Sequence, residues 1–159
     1  MAKLIVRELR VGDLETIAEG LRQADRDEIE ATTGETDALP VLQSGVATSS
    51  MAWVIEVGGV AAGVFGVAPA APDVGVPWML GTYALERAPK QLTKLGRVYV
   101  HRMADKYETL VNYVDARNLK SVYWLSCLGF TINPHTEPFG IAGLPFHRFG
   151  MTRSCVPRI

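Results

Sequence analysis

The sequence is poor in cysteine, has no excess of charge of either sign, and contains no long apolar run. Its two cysteines, Cys127 and Cys155, are too few for a disulfide framework and favour a reducing compartment. The 16 Lys and Arg residues against 17 Asp and Glu residues lack the basic excess expected of a nucleic-acid-binding protein. The longest weakly polar stretch, residues 58–72, is interrupted by glycine and proline and is too short to span a bilayer. These absences argue against a disulfide-rich secreted domain, a nucleic-acid partner and a membrane span.

Length and composition predict one globular domain over residues 1–159. A chain of this length falls within the usual size of a single domain, and 48% hydrophobic with 21% charged residues is ordinary globular composition. The first ten residues carry charge every few positions, so they lack the apolar core of a signal peptide. The histidines, His101, His135 and His147, are far apart without ligand spacing, which predicts no metal site. We therefore expect a cytoplasmic domain that folds without a metal.

Periodicity and turn residues predict alternating strands and helices. We expect strands at residues 3–9, 52–57, 60–68, 76–81, 109–114, 130–133 and 146–152. We expect helices beginning near residue 13 and at residues 39–47, 89–106 and 118–128. The order β-α-α-β-β-β-α-β-α-β-β combines hairpin strands with β-α-β units. It predicts an α/β (α+β) domain with a mixed sheet in three layers, α/β/α.

Four local features make this prediction more specific. Gly58-Gly59 between two strand patterns predicts a two-residue hairpin turn. Asp13 is predicted to cap the first helix, because its carboxylate can accept the free amide hydrogens of the first turn. The mostly acidic run at residues 25–30 is interpreted as a solvated charged face. Residues 109–114 are rich in strand formers and predict a central, buried strand.

A motif in the second half of the chain carries a family resemblance. A predicted helix is capped by Asn118, has the small residue Ser121 three positions later, and closes with Leu128-Gly129-Phe130. In this element order, the motif resembles the GNAT acyltransferase superfamily. The resemblance implies a GNAT-like acyl-CoA N-acyltransferase fold that uses acetyl-CoA, bound between the fourth and fifth strands. The binding residues that it implies are Leu80, Gly81, Thr82, Arg87, Lys90, Asn118, Ser121 and Trp124.

Catalysis in this superfamily needs an acid for the leaving thiolate and a base for the incoming amine. The resemblance implies Tyr123 as the acid, although the usual tyrosine position, seven residues after the helix-opening Asn, is Leu125 here. Glu137, in a predicted loop, is the candidate general base. Tyr113 is the alternative source of a phenol.

The phosphate-binding loop also departs from the superfamily pattern. Residues 81–90 replace its glycine-rich sequence and keep one glycine, at the strand end. Glycines let backbone amides close on phosphates at a helix N-terminus, so their loss removes hydrogen bonds to the cofactor. Arg87 and Lys90 compensate in charge, and Glu86 opposes them. Together with Leu125, this loss predicts weak acetyl-CoA binding and slow or absent turnover.

Three blocks, at residues 75–82, 110–118 and 137–149, resemble the small tailed-phage proteins called internal virion protein A, which are themselves similar to GNAT acyltransferases. This resemblance implies a role in virion assembly or on a host protein, in the host-cell cytoplasm or in the virion. Two hypotheses stay open. The changed phosphate-binding loop and Leu125 favour a GNAT-fold phage protein with a degenerate acyl-CoA site. The alternative is an active acetyl-CoA-dependent N-acetyltransferase that acts on an amine of a small molecule or protein.

Overall fold

The chain forms seven strands and five α-helices along residues 2–155, the part that this computed structural model describes. The strands are β1 Leu4–Arg7, β2 Met51–Val57, β3 Val60–Ala71, β4 Val74–Gly81, β5 Thr109–Asp115, β6 Thr131–Phe139 and β7 Leu144–Thr152. The helices are α1 Asp13–Glu19, α2 Gln23–Thr33, α3 Ala38–Thr48, α4 Pro89–Lys106 and α5 Leu119–Cys127, with short 3-10 turns at Tyr83–Arg87 and Arg153–Cys155. Along the same residues, no helix combines the length and the apolar composition needed to cross a membrane.

The strands form one mixed sheet in the order β1-β2-β3-β4-β5-β7-β6. Neighbouring strands are antiparallel except β4 and β5, which are parallel. This parallel pair joins at two positions only, Val74 with Thr109 and Gly75 with Leu110, at the start of both strands. Beyond them β4 stays paired with β3 and β5 with β7, so the two strands diverge. The predicted mixed sheet and the interior position of β5 are confirmed.

Each face of the sheet packs against helices and forms its own apolar core. On one face, the sheet side chains Val67, Leu110 and Phe149 pack with Leu92 and Met103 of α4. On the other face, the core contains Ile17 of α1, Leu42 of α3, and Val54 and Val64 of the sheet, among others. Fully burying an aliphatic side chain of this kind contributes roughly 1.5–3 kcal/mol. The three-layer α/β/α arrangement is therefore the one that the periodicity predicts.

The clearest sequence signals fall where they are predicted. Helix α4 has the predicted bounds, with Pro89 in the first turn, where its missing N–H costs nothing. Gly58 and Gly59 have φ values of 58° and 82°, as a two-residue hairpin turn with two left-handed positions requires. Asn118 caps α5 by accepting a hydrogen bond from the Ser121 amide at 3.2 Å.

Two predictions about the first helical region are wrong. Gly12, not Asp13, is the N-cap of α1, because the Asp13 carboxylate is bound by the Arg7 guanidinium and by the Arg10 amide. The chain also leaves the helix after Glu19 and begins α2 at Gln23. Between the two helices, Leu21 bridges to Thr82, next to the end of β4. Helix α2 therefore starts at the edge of β4 that faces β5.

The acidic run on α2 is only in part the solvated face that its composition suggests, because Glu30 is exposed but Asp25 and Glu28 are not. Asp25 is only 2% exposed, and Glu28 is half-buried. Both carboxylates point toward the region where β4 and β5 separate, and both find partners there. The sequence pattern of this run is typical of an exposed helix face. The two carboxylates are buried because α2 lies over the place where β4 and β5 diverge.

Removing the cap of α5 tests how much this helix depends on Asn118. Asn118→Ala is expected to lower the free energy of unfolding by about 1 kcal/mol, because one amide of the first turn loses its acceptor. Asn118→Asp keeps an acceptor and serves as the matched control. Urea denaturation of the three proteins measures the difference. Equal stability of all three would show that the cap contributes nothing.

Candidate active site in the cleft between β4 and β5

The divergence of β4 and β5 opens a cleft of about 380 Å³ whose lining residues come from both faces of the sheet. On one side lie residues of α4 and α5, including Leu92, Leu95 and Leu125. On the other side lie residues of α2 and α3. The cleft therefore connects two surfaces that the sheet would otherwise separate. Such a passage can admit one reactant from each face.

The Asn112 side chain joins β4 and β5 at the point where the two strands begin to diverge. Its side-chain nitrogen donates to the Pro77 carbonyl of β4 at 2.7 Å, and its side-chain oxygen accepts from the Tyr113 amide at 2.7 Å. This one side chain thus bonds both strands just past the point where their ladder stops. It fixes where the cleft begins.

The edge of β4 presents backbone groups to the cleft. The Pro77 carbonyl and the Gly81 amide both point away from β3, so the alternation of a strand turns the backbone of Met79 the same way. Within residues 2–155, no strand pairs with β4 at that position, because β5 has diverged. The N–H and C=O of Met79 therefore face the cleft as one donor and one acceptor for an extended amide-bearing ligand.

Two carboxylates of α2 bridge the open end of the divergence. Asp25 accepts a hydrogen bond from the Gly81 amide of β4 at 2.9 Å, and Glu28 accepts one from the Asp115 amide of β5 at 2.8 Å. Residues three apart lie on the same face of a helix, so one turn of α2 reaches both strands. Arg22, just before α2, adds a backbone hydrogen bond to the Gly81 carbonyl at 3.0 Å.

The environment of these carboxylates changes their protonation. Burial raises the pKa of Glu28 to about 7, and the nearby charges of Asp25 and Asp115 act in the same direction. Burial also raises the pKa of Asp25, against the attraction of Arg22. A carboxylate with a pKa near 7 can accept a proton efficiently at neutral pH. Glu28 therefore has the protonation properties of a general base.

Glu28 also differs from its neighbours in its partners. Asp25 pairs with Arg22 at 3.0 Å, and Asp115 pairs with Arg117 at 2.6 Å. Burial pushes the pKa of Asp115 upward, but the hydrogen bonds and charge of Arg117 bring it below its ordinary value. Within residues 2–155, no cationic side chain forms an ion pair with Glu28. It is the carboxylate of the cleft whose charge stays uncompensated by a bonded cation.

Aromatic side chains form much of the wall on the α2 side. Tyr113 stacks on Phe139, with ring centroids 4.2 Å apart and planes at 12°, and both line the cleft. A hydrogen bond with Glu137 raises the pKa of Tyr113. Trp78 lines the cleft from β4 and donates its indole N–H to the Ser49 hydroxyl at 2.7 Å. Both aromatic walls are thus held in place by specific contacts.

The structure brings some of the residues named from the sequence together and leaves others apart. Leu80, Ser121 and Trp124 line the cleft, and the indole of Trp124 donates to the Thr93 hydroxyl at 3.2 Å. Gly81 is buried, and its backbone is bonded to Arg22 and Asp25 as described. Asn118 acts as the cap of α5.

The remaining residues of that set lie outside the cleft lining. Thr82 caps the 3-10 turn before α4 by accepting from the Ala84 amide, and Arg87 and Lys90 are exposed beside the start of α4. Tyr123 is 73% exposed on α5. The prediction of a loop around Glu137 is wrong, because β6 continues to Phe139. Glu137 is exposed on this strand, where it is the partner of Tyr113. The sequence reasoning interpreted Asp25 and Glu28 as part of a solvated charged face and did not name Met79 as a site residue.

No metal centre accompanies this cleft in the described residues. Within residues 2–155, no group of three or more His, Cys, Asp or Glu side chains is arranged to hold a metal ion.

Comparison with solved structures identifies the fold. The acetyltransferase of the GNAT family from Bacillus anthracis superposes with a TM-score of 0.72 at 10% identity, over 97% of this chain and 98% of that one. The N-acetyltransferase from Staphylococcus aureus Mu50 gives a TM-score of 0.70 at 18% identity, over 95% and 99%. The spermidine N-acetyltransferase from Vibrio cholerae, solved with CoA and spermine, gives 0.59 at 18% identity, over 96% and 97%. The chain therefore has the fold of the GNAT acetyltransferases.

Sequence comparison adds no further relative. No protein-family model and no curated protein matches this chain. None of these findings supports the resemblance to the phage internal virion proteins. A role in the virion, a host partner and a location in the host-cell cytoplasm therefore stay predictions from sequence.

Proposed function

We propose that this protein is an acetyl-CoA-dependent N-acyltransferase. The observation that carries the proposal is the cleft between β4 and β5, which connects the two faces of the sheet and holds an uncompensated carboxylate, Glu28, on one side. The GNAT fold of the solved acetyltransferases, one of them holding CoA, supports the same reading. This reverses the order of the two hypotheses drawn from sequence, because no observation of the structure favours the virion role.

The residues present fit the pantetheine part of acetyl-CoA. The backbone N–H and C=O of Met79 offer strand-like pairing to an amide, and the apolar side chains of Leu92, Leu95 and Leu125 line the same passage. The fit to the pyrophosphate is poorer. Pro89 at the start of α4 supplies no amide, and Ala88 stands before it. Arg87 and Lys90 would hold the phosphates mainly by charge.

When bound, acetyl-CoA supplies an acyl carbon activated as a thioester. Glu28 would accept one proton from the bound ammonium, which frees the nitrogen lone pair to bond to the acyl carbon. The nitrogen would lose a second proton as the carbon–sulfur bond breaks. The thiolate that leaves needs a proton. Two tyrosines, Tyr99 and Tyr113, line the cleft, and we assign this role to Tyr113 because it lies on β5, one of the two strands that border the divergence. The second proton released by the nitrogen restores the phenol. The Asp115 amide fixes one Glu28 oxygen, so the base keeps its place during the reaction.

Acetyl-CoA binding gives the direct test. We expect acetyl-CoA to raise the melting temperature, since a ligand at 100 times its dissociation constant stabilises by about 2.7 kcal/mol. An amine should then release CoA thiol in a colorimetric assay. Failure of millimolar acetyl-CoA to stabilise the protein would contradict the proposed function.

The phosphate contacts can be tested separately by charge removal. The double variant Arg87→Ala/Lys90→Ala is expected to raise the Kd for acetyl-CoA about tenfold at low salt, which corresponds to about 1.4 kcal/mol. The effect should shrink at high salt, because exposed charges are screened. Lys94→Ala, an exposed lysine one turn further along α4, is the matched control and should change the Kd less than twofold. Titration calorimetry at two salt concentrations measures these affinities, and equal Kd values for both variants would place the phosphates elsewhere.

A further inference from the structure

The register of β4 and β5 places two aromatic residues opposite each other across the cleft. Gly75 pairs with Leu110, so counting three residues along each parallel strand brings Trp78 opposite Tyr113. Both residues line the cleft, and both belong to the face that carries α2 and α3. Because the strands have already diverged there, no ring contact joins the two side chains. The part of the cleft between these two residues is called the slot below.

Contacts behind each ring keep this slot in shape. The hydrogen bond to Ser49 orients the Trp78 indole, and the stack on Phe139 supports Tyr113. Gly45 of α3 lies against the far edge of the indole, where an added Cβ would come within 3.3 Å of the ring. The walls are therefore preorganised, and a flat apolar group can enter without first ordering them.

The slot also has a defined charge, which comes from Glu28. Asp25 and Asp115 are each neutralised by an arginine at 3.0 Å and 2.6 Å, which leaves Glu28 to attract a positive group. Among the described residues that line the cleft, a second ammonium would find no further carboxylate without an arginine partner, and burying it unpaired is costly. The slot thus suits a molecule with one positive charge.

We propose that the acceptor is a primary monoamine carried on a short chain from a flat aromatic ring. The ring lies between Trp78 and Tyr113, and the amine reaches Glu28. This assignment rests on the proposed acyltransferase function for the reaction, but not for the binding of the amine. It separates this protein from a polyamine acetyltransferase, whose acceptor carries several ammonium groups along an unbranched chain.

A competition between two amines tests the assignment. With acetyl-CoA present, kcat/KM for 2-phenylethylamine is expected to exceed that for spermidine at least tenfold. Phe139→Ala, which removes the support behind Tyr113, should raise KM for 2-phenylethylamine about tenfold, while Phe139→Leu should change it about threefold or less. Both variants should keep the far-UV circular dichroism spectrum of the wild type, which shows that they are folded.

Binding without acetyl-CoA makes the test independent of the reaction. At pH 8, 2-phenylethylamine should raise the melting temperature of the wild-type protein, and spermidine at the same concentration should not. Stabilisation by the aromatic amine with no turnover would support the slot and reject the acyltransferase. Equal or better use of spermidine in the transfer assay would overturn the monoamine assignment and leave the acyltransferase standing. No stabilisation by 2-phenylethylamine would also overturn the assignment.

Discussion

Glu28→Gln is expected to lower kcat/KM for amine acetylation by about 10²–10⁴-fold, the usual contribution of a general base. The amide keeps an oxygen that can accept from the Asp115 amide, so the hydrogen bond at 2.8 Å and the position of α2 are retained. What is lost is the ability to take a proton. The transfer assay measures the rate, and Glu30→Gln, at an exposed position of the same helix, is the matched control with unchanged rate. A Glu28→Gln variant with wild-type turnover would remove this residue from the mechanism.

The pH profile gives a second, independent reading of the same side chain. Because the pKa of Glu28 is about 7, kcat at saturating amine should rise with pH and level off above that value, as the carboxylate loses its proton. The same raised pKa means that the folded state disfavours the charged form. Stability should therefore fall as the pH rises from the ordinary carboxyl pKa toward 7, and Glu28→Gln should remove that part of the decline. A wild-type rate independent of pH between 6 and 8 would contradict the assignment.

Arg7→Met is expected to lower the free energy of unfolding by about 3–5 kcal/mol. The Arg7 guanidinium donates to both oxygens of Asp13, at 2.7 and 2.9 Å, and also to the Glu56 carboxylate. Asp13 and Glu56 are 6% and 8% exposed, so removing the arginine leaves two buried negative charges without their main partner. Arg10→Met is the control, because its side chain is 70% exposed and lies 3.7 Å from Glu56. That variant should lose about 1 kcal/mol or less.

Urea denaturation at several pH values measures both arginine variants. The Arg7 hydrogen bonds hold the pKa of Asp13 below its ordinary value, so their stabilisation is present above that value and is lost as the pH falls. The Arg7→Met protein should therefore lose less stability on acidification than the wild type. Similar stabilities of the Arg7 and Arg10 variants at neutral pH would show that the buried pair contributes little.

Much of the fold follows from signals that are local in the sequence. Pro89 opens a helix whose apolar stripe continues to Met103, and the predicted bounds of α4 agree with the structure. Gly58-Gly59 fixes a hairpin because two left-handed positions in a row favour glycine. Helix geometry also predicts that Leu125 and Tyr123 point in different directions from α5. Two residues rotate a helix by about 200°, and Leu125 lines the cleft while Tyr123 is exposed.

The candidate base could not be found in the same way. Glu28 differs from a solvated glutamate only through the Asp115 amide, 87 residues away in sequence, and through the burial that the diverging strands create. Asp25 depends likewise on the Gly81 amide, 56 residues away. A helix pattern predicts which residues share a face, but not what covers that face. Gly20 ends α1 as its C-cap, but the bridge from Leu21 to Thr82, which aims α2 at the cleft, has no local signal.

The short join between β4 and β5 also has a consequence for how the chain folds. Strands β1 to β4 come from the first half of the sequence and β5 to β7 from the second, so each half completes its own hydrogen-bonded ladder. Contacts within one half close shorter loops, so they have a lower entropic cost than contacts across the whole chain. Within the sheet, the two halves meet at two residue pairs and the Asn112 side chain, while the apolar core on the α4 face and the hydrogen bond from the Asp115 amide to Glu28 join them outside it. The passage that would admit the reactants is thus the seam along which the two halves of the chain meet.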